Sequence, residues 1–260
     1  MEAIVLSEAQ LQQFIGQYIW PFLRIGALFM AMPIVGARTV NARARLLLAL
    51  MLTVLVGPFV PETPNISFFS GEGFSAITKE VLVGLSLGFV FQVALHIFVL
   101  GGQFIAMKMG LGFASMNDPS NGITVTVLSQ FYLLLSTILF LAVNGHLIIF
   151  ELIVTSFTTL PIGVGLTATD FIRIASLGSW LFAMALVVAL PVFTGLLIVN
   201  LAFGIMNRSA PQINVFTVGF PITLIFGLFF MWVALAVFLP NFYQVMDDIV
   251  LFSRQLLRVP

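Results

Sequence analysis

Residues Gly101–Gly122 read GGQFIAMKMGLGFASMNDPSNG and lie between two long apolar segments. Five glycines and the turn-forming run Asn117-Asp118-Pro119 make this stretch unlike an ordinary membrane helix. Bulky or deformable apolar side chains alternate with the glycines: Phe104, Met107, Met109, Phe113 and Met116. Such a segment can fill a space and leave it, because methionine adapts to irregular gaps and an apolar constriction excludes water. A glycine-rich connector buried between helices is the competing interpretation.

The sequence around this stretch has the composition of a polytopic membrane protein. Of its 260 residues, 60% are hydrophobic and 8% are charged, and the mean hydropathy is +1.15. A soluble domain is about one quarter charged. The formal net charge is zero, so no nucleic-acid partner is predicted. The absence of cysteine excludes disulfides, thiolate metal sites and thiol catalysis.

We expect an all-α integral membrane protein with about six apolar segments. These are Phe14–Gly36, Leu46–Val60, Val81–Gln103, Ile123–Phe150, Ile174–Ile205 and Val215–Leu239. Several are shorter or more broken than a simple spanning helix. Leu46–Val60 would form about 22 Å of helix, which is short of a hydrocarbon core of ~30 Å. The number of segments that cross a bilayer therefore stays open.

Further breaks are expected where proline, glycine or asparagine interrupts an apolar run. The residues concerned are Asn144-Gly145-His146, Pro161, Gly163, Gly165 and Pro240-Asn241. The last pair is predicted to end the final segment, which makes Phe242–Arg258 a separate amphipathic helix. Its apolar residues recur at spacings of three and four, so we expect it to pack against a partner helix or lie in the membrane interface.

Charged residues predict one buried site and the orientation of the chain. Arg24 lies deep in the first apolar segment, where facing lipid would cost at least ~2.5 kcal/mol. It is therefore predicted to face protein or water. Arg38–Arg45 contains three arginines and no acid, which places that loop in the cytoplasm. The acidic loop Pro61–Thr78 then lies outside, and Met206–Asn214 lies inside.

The run Gly84–Gly88 matches G-x-S-x-G, the pattern of a nucleophile elbow around Ser86. The elbow needs a strand–turn–helix context, whereas the hydropathy of this stretch is uninterrupted and helical. Gly84 and Gly88 also have the small-xxx-small spacing that lets helices pack closely. No enzymatic activity is predicted, although a serine hydrolase remains the interpretation to be excluded.

The remaining ionisable residues predict no metal, cofactor or proton-relay site. No two histidines have metal-ligand spacing, and His96 and His146 have no paired carboxylate with which to exchange a proton. Lys79, Glu80 and Glu151 lie at segment edges, where we interpret them as helix caps or contacts to lipid headgroups.

A second informative stretch, Gly204–Pro221, concentrates polar residues in a tight turn between two apolar segments: Asn207, Arg208, Gln212 and Asn214. An ordinary helical hairpin turn, with Arg208 obeying the positive-inside rule, is one interpretation. A docking loop for a partner is the other, and the residues alone do not separate the two.

Two motifs resemble a known family. NRSAPQINVFTVGFPI at 207–222 resembles the signature of the FliR family of the flagellar type III export apparatus. MGLGFASMNDP at 109–119 resembles the central loop of that family, and the similarity extends over essentially the whole chain. The resemblance implies bent helical hairpins, with residues 1–173 similar to FliP and residues 174–260 forming a FliQ-like hairpin and tail.

The same resemblance implies a gate subunit in the bacterial inner membrane, at the flagellar basal body and partly raised toward the periplasm. It implies assembly with FliP and FliQ, contact with an FlhB-type switch protein, and unfolded flagellar subunits as cargo. The central loop would plug the pore with Gly110, Leu111, Gly112, Phe113, Ala114, Ser115, Met116, Asn117 and Asp118. The cytoplasmic turn would offer partners Asn207, Arg208, Pro211, Gln212, Asn214 and Phe216.

Two alternatives remain beside this expectation. One is the homologous subunit of a virulence injectisome, for which the similarity is weaker. The other is a secondary transporter that acts alone, which would predict an internal inverted repeat with paired broken helices. We find no such repeat in the sequence.

Overall fold

The computed structural model describes residues 8–37, 39–61, 66, 68, 70–111, 126–209 and 215–259. In these ranges the protein is helical and contains no strand, as expected for an all-α chain. The helices are α1 (Glu8–Ala31), α2 (Ala42–Val56), α3 (Gly71–Lys108), α4 (Val127–Ala142), α5 (Gly145–Thr159), α6 (Ala168–Ser209) and α7 (Val215–Leu256). A short 3-10 turn, Gly57–Phe59, extends α2.

The helices form two compact units. The first unit comprises Met1–Gln92, Leu141–Leu177 and Asp248–Pro260. The second comprises Val93–Phe140 and Gly178–Asp247. The chain passes between the units four times, because α3, α4, α6 and α7 each contribute residues to both.

Four helical segments in the described ranges are long and apolar enough to cross a membrane, and α4 with α5 makes a fifth if that bent pair is one span. This agrees with a membrane protein of about six apolar segments. The segment predicted as Leu46–Val60 was too short because its predicted first residue was wrong. The helix begins at Ala42, and its 3-10 extension brings the segment to 18 residues, about 27 Å.

The predicted breaks at Asn144 and at residues 160–167 are confirmed. Asn144 adopts a left-handed backbone, with φ of 57°, and α4 and α5 meet there at 63°. Gly163 has φ of 86°, which few residues other than glycine adopt, and it lies in the non-helical connection from α5 to α6. Both breaks therefore follow from local backbone chemistry.

The predicted break at Pro240 was wrong, because α7 runs through Pro240 to Leu256. The amphipathic face of Phe242–Arg258 is buried inside this chain, with Phe242, Val245 and Ile249 fully buried. Leu257, just beyond the helix, accepts a 2.6 Å hydrogen bond from the Thr159 hydroxyl. The apolar face of the tail is thus occupied by the chain's own helices.

Two expectations about α3 also need correction. The polar loop predicted over Pro61–Thr78 ends early, because α3 begins at Gly71. Gly101 and Gly102, expected in an irregular stretch, lie inside α3 as close-packing positions. A Cβ at Gly101 would lie 3.2 Å from the Ala185 carbonyl oxygen, so the missing side chain admits α6.

Helices α1 and α3 pack side by side in parallel. A Cβ at Gly84 would collide with the carbonyl oxygen of Arg24, and one at Gly88 would lie 2.8 Å from the Ala31 Cβ. The residue numbers at the two contacts increase together on α1 and α3, which is why the helices are parallel. Gly84 and Gly88 therefore serve as the small-xxx-small contact that the sequence offered as one interpretation.

Candidate functional site

The Arg24 side chain is fully buried, as predicted, and its guanidinium is completely hydrogen-bonded. Nε and Nη2 donate to the two carboxylate oxygens of Glu80, at 2.7 and 3.1 Å. Nη1 donates to the carbonyl and the hydroxyl of Ser156, both at 3.0 Å, and Nη2 also donates to the Leu160 carbonyl at 2.9 Å. Five acceptors thus match the five N–H groups of the guanidinium.

This buried site joins three helices of the first unit. Arg24 lies on α1 and Glu80 on α3, while the carbonyls of Ser156 and Leu160 belong to the C-terminal end of α5. A positive charge is favourable there because the last carbonyls of a helix have no partners within it. The Arg24 guanidinium also lies 4.4 Å from the centre of the Phe157 ring.

Two consecutive residues of α3 hold the turn after α5. Glu80 accepts a 3.2 Å hydrogen bond from the Gly163 amide, and Lys79 donates a 2.9 Å bond to the Gly163 carbonyl. The interpretation as a helix cap or headgroup contact was therefore wrong for Glu80, which is fully buried, and stays a prediction for the exposed Lys79. Each binds the left-handed glycine in the connection from α5 to α6. The sequence held no signal for the pairing of Glu80 with Arg24, because the two residues are 56 positions apart.

The central loop leaves α3 through a glycine-capped helix end. Gly110 has φ of 84° and its amide donates to the Met107 carbonyl at 3.1 Å. The Leu111 amide donates to the Ala106 carbonyl at 2.9 Å. These two bonds with a left-handed glycine form a Schellman motif, which ends α3 at a defined residue.

This exit end of the loop is packed against α7 in the second unit. Met109 is buried, and a Cβ at Gly227 would lie 2.7 Å from its sulfur atom. A Cβ at Gly110 would lie 3.2 Å from the Phe220 ring. Glycine at 227 thus makes room for methionine at 109, and the contact consists of deformable apolar groups.

The loop returns to α3 through a polar cluster formed by the half-buried Gln103 and the buried Thr126 and Ser129. The Gln103 amide oxygen accepts hydrogen bonds from the Ser129 hydroxyl at 3.1 Å and from the Thr126 amide at 3.4 Å. The two hydroxyl oxygens lie 3.0 Å apart, and the Ser129 amide donates to the Thr126 hydroxyl at 3.3 Å. Thr126 is thus the N-cap of α4.

Both ends of the loop are therefore held on one helix. Gln103 precedes Gly110 by seven residues, which corresponds to about 10 Å along α3. Of the predicted plug, Gly110 and Leu111 lie at the exit end. Gly112, Phe113, Ala114, Ser115, Met116, Asn117 and Asp118 lie outside the described residues.

The predicted cytoplasmic turn is described only at its edges. Arg208 is exposed in the last turn of α6. Pro211, Gln212 and Asn214 lie outside the described residues, as do the side chains of Asn207 and Phe216. The hairpin turn and the docking loop both stay predictions.

The nucleophile-elbow interpretation of Ser86 lacks its structural context. Ser86 is buried within the uninterrupted helix α3, and the glycines on either side contact α1. His146, one of the two histidines considered for acid–base chemistry with His96, packs edge-on against Phe150 with ring centres 6.5 Å apart. Ser86 thus lies between two glycines of a helix–helix contact, and the His146–Phe150 contact lies within α5.

Sequence comparison relates the chain to known export proteins. The family model described as "Bacterial export proteins, family 1" matches residues 15–249. The flagellar biosynthetic protein FliR of Escherichia coli K12 is 38% identical over 226 residues, covering 86% of this chain and 85% of that protein. FliR of Buchnera aphidicola from Acyrthosiphon pisum is 31% identical over 96% of this chain and 97% of that protein. FliR of Bacillus subtilis 168 is 29% identical over 85% of this chain and 86% of that protein. The chain belongs to family 1 of the bacterial export proteins.

Proposed function

We propose that this chain is a subunit of the flagellar type III protein-export gate. It assembles with FliP and FliQ in the bacterial inner membrane and helps to form and plug the pore for unfolded flagellar subunits. The observation that carries this proposal is the similarity to proteins named flagellar biosynthetic protein FliR over most of the chain. The helical architecture, with four or five candidate spans in the described ranges, fits a membrane subunit.

The central loop is the proposed plug. Its described edges, Leu111 and Thr126, bond to positions of α3 that lie within about 10 Å of each other along the helix. The residues assigned to it include Phe113 and Met116, which are apolar and deformable. An apolar plug blocks ions at rest because charged solutes lose their hydration in it.

The remaining assignments belong to the same proposal. Residues 1–173 are the FliP-like part, and residues 174–260 the FliQ-like hairpin with its tail. The turn around Arg208 faces the cytoplasm and an FlhB-type switch protein. The complex lies at the flagellar basal body, partly raised toward the periplasm, and takes its driving energy from other components.

Co-purification tests the assembly. The tagged chain is expressed with FliP and FliQ partners, purified, and measured by native mass spectrometry. A discrete complex that contains both partners is expected. A stable lone monomer or homo-oligomer would instead support a transporter that acts alone. Restored motility in a flagellar deletion strain, rather than restored injectisome secretion, separates the two export systems.

Permeability tests the plug. Deleting residues 110–116 should make vesicles that contain the assembled complex leak ions, because the seal is removed. Replacing Phe113 and Met116 with aspartate should also cause leakage, since charges hydrate the constriction. Phe74→Asp adds a charge at an exposed position of α3 outside the loop and is the matched control. If vesicles with both loop variants do not leak, the plug hypothesis is wrong and the loop is a connector.

A further inference from the structure

An apolar groove lies between α1 and α2 in the first unit. The two helices form an antiparallel hairpin, because the Gln17 side-chain amide near the start of α1 donates to the Gly57 carbonyl at the end of α2, at 3.3 Å. The groove has a volume of about 380 Å³. Its walls include Phe22, Gly26 and Met30 of α1 and Ala42, Arg45 and Ala49 of α2. A Cβ at Gly26 would meet no atom within 4 Å, so the space beside this glycine is open.

The size of the groove suits a hydrocarbon chain. The wall from Phe22 to Met30 is about 12 Å long. A helix of that length is about 10 Å across and would occupy roughly 900 Å³, more than twice the volume of the groove. Helix α2 lies in a candidate membrane span, Ala42–Phe59, and its exposed side chains include Met51 and Val54. The acyl chains of a bilayer are therefore available along the helix that bears the groove.

Arg45 lies at the end of the groove that is next to the turn between the helices, and it is half-buried. Its Nε donates to the Val35 carbonyl and its Nη2 to the Ala37 carbonyl, both at 3.1 Å. These two bonds hold the guanidinium in place, and its other N–H groups have no acceptor in the described part of the chain. The ion pairs found among the described residues belong to Arg24 and Arg258. The charge of Arg45 is thus positioned but not neutralised.

The surroundings of Arg45 favour an anion. Residues 9–61 include Arg24, Arg38, Arg43 and Arg45 and contain no aspartate or glutamate. Arg24 is neutralised by Glu80, whereas Arg43 is exposed on the same helix as Arg45. A phosphate accepts paired hydrogen bonds from a guanidinium. The ammonium of a zwitterionic headgroup would find no carboxylate in this part of the sequence, so charge complementarity selects an anionic headgroup.

We propose that the groove between α1 and α2 binds one anionic phospholipid, with an acyl chain in the groove and the headgroup phosphate on Arg45. The site uses residues of the first unit alone. It is independent of the proposed plug, because it requires only that the chain lies in a membrane.

Photolabelling tests the site. The tagged full chain, purified with the partners that it retains, is placed in phosphatidylethanolamine vesicles containing a small share of phosphatidylglycerol with a diazirine in one acyl chain. After irradiation, peptide mass spectrometry measures the label on each helix. Label should concentrate on residues 22–30 and 42–49. Excess unlabelled phosphatidylglycerol should reduce this label about tenfold or more, whereas the same excess of phosphatidylethanolamine should leave it unchanged.

Two variants remove the two halves of the site. Arg45→Gln should lower the label on the groove about tenfold, because charge-assisted hydrogen bonds to the phosphate are lost. Arg45→Lys keeps the positive charge and should retain most of the label. Gly26→Phe fills part of the groove without touching Arg45 and should also lower the label severalfold.

Each variant has a matched control. Arg43→Gln removes the same charge from α2 at a position that does not line the groove, and it should lower the label less than twofold. Gly178→Phe adds the same ring at a helical glycine that also has open space around it. It should leave the label on the groove unchanged.

Each outcome decides the proposal. Full labelling with both Arg45→Gln and Gly26→Phe would overturn the site. Equal losses with Arg45→Gln and Arg43→Gln would show a diffuse basic surface instead. Equal competition by phosphatidylethanolamine would exclude selection of an anionic headgroup. Loss of a partner subunit from Gly26→Phe with its label unchanged would assign the groove to a partner protein. If Arg45→Gln fails to accumulate, Gly26→Phe decides the proposal alone.

Discussion

At the scale of single residues, Arg24 shows how a charge is accommodated inside an apolar chain. Burying an ion pair is favourable only when geometry is good and the remaining donors are satisfied. Arg24 meets both conditions, because Glu80 receives two bonds and the end of α5 receives three. Hydropathy predicted the burial, but nothing near Arg24 in the sequence identifies its partner, which lies 56 residues away.

Arg24→Met should destabilise the complex severely, by about 3–5 kcal/mol, because Glu80 would remain buried without a counter-ion. The midpoint of thermal unfolding of the purified complex measures this. Combining Arg24→Met with Glu80→Met should recover most of the loss, since no isolated charge then remains. Arg43→Met, at an exposed arginine, is the control and should change little. A double variant as unstable as the single one would contradict this account.

Substitution of Gly110 and Gly178 by alanine compares a left-handed glycine with a helical one. Gly110 has φ of 84° and faces Phe220, so Gly110→Ala should destabilise by about 1–2 kcal/mol. Gly178 lies inside α6 with open space around it, so Gly178→Ala should stabilise by roughly 0.5–1 kcal/mol. Unfolding midpoints of the two variants should therefore move in opposite directions. A shift in the same direction would argue against the Schellman end of α3.

At the scale of elements, the contact between α1 and α3 depends on two glycines. Gly84→Leu should prevent this contact, because even a Cβ there collides with the Arg24 carbonyl. We expect little assembled complex, measured as the yield that co-purifies with partner subunits. Ser86→Ala, two residues away in the same helix, should leave yield and export normal. Loss of export with normal assembly in Ser86→Ala would revive the hydrolase interpretation.

Helix-breaking residues predicted only some of the bends in the chain. Asn144 and Gly163 do mark bends, because their left-handed backbones are compatible with few other residues. Pro21, Pro191, Pro221 and Pro240 all lie inside helices. An apolar environment offers no water to bind freed carbonyls, so a helix that continues past proline is preferred to an open end. The proline signal is therefore weaker here than in a soluble protein.

At the scale of the whole molecule, the tail is part of the chain's own packing. Ile249 is fully buried, whereas Leu251 is 58% exposed on the same helix. Ile249→Ser should destabilise the chain by about 2–5 kcal/mol and lower its accumulation in the membrane, as for other large-to-small changes at buried positions. Leu251→Ser should accumulate normally. If only Leu251→Ser lost FliP or FliQ on purification, the outer face of the tail would bind a partner.

Composition and local sequence were enough to predict the helical, membrane-embedded character of the chain, the burial of Arg24 and the bends at Asn144 and Gly163. Each depends on local composition or on one residue's backbone preference. The resemblance in two motifs also pointed to the export family that the comparisons show. The pairing of Glu80 with Arg24 and the binding of Gln103 to the start of α4 became visible only in the folded chain. Those contacts join residues distant in sequence, and hydropathy and spacing carry no information about which distant side chains meet.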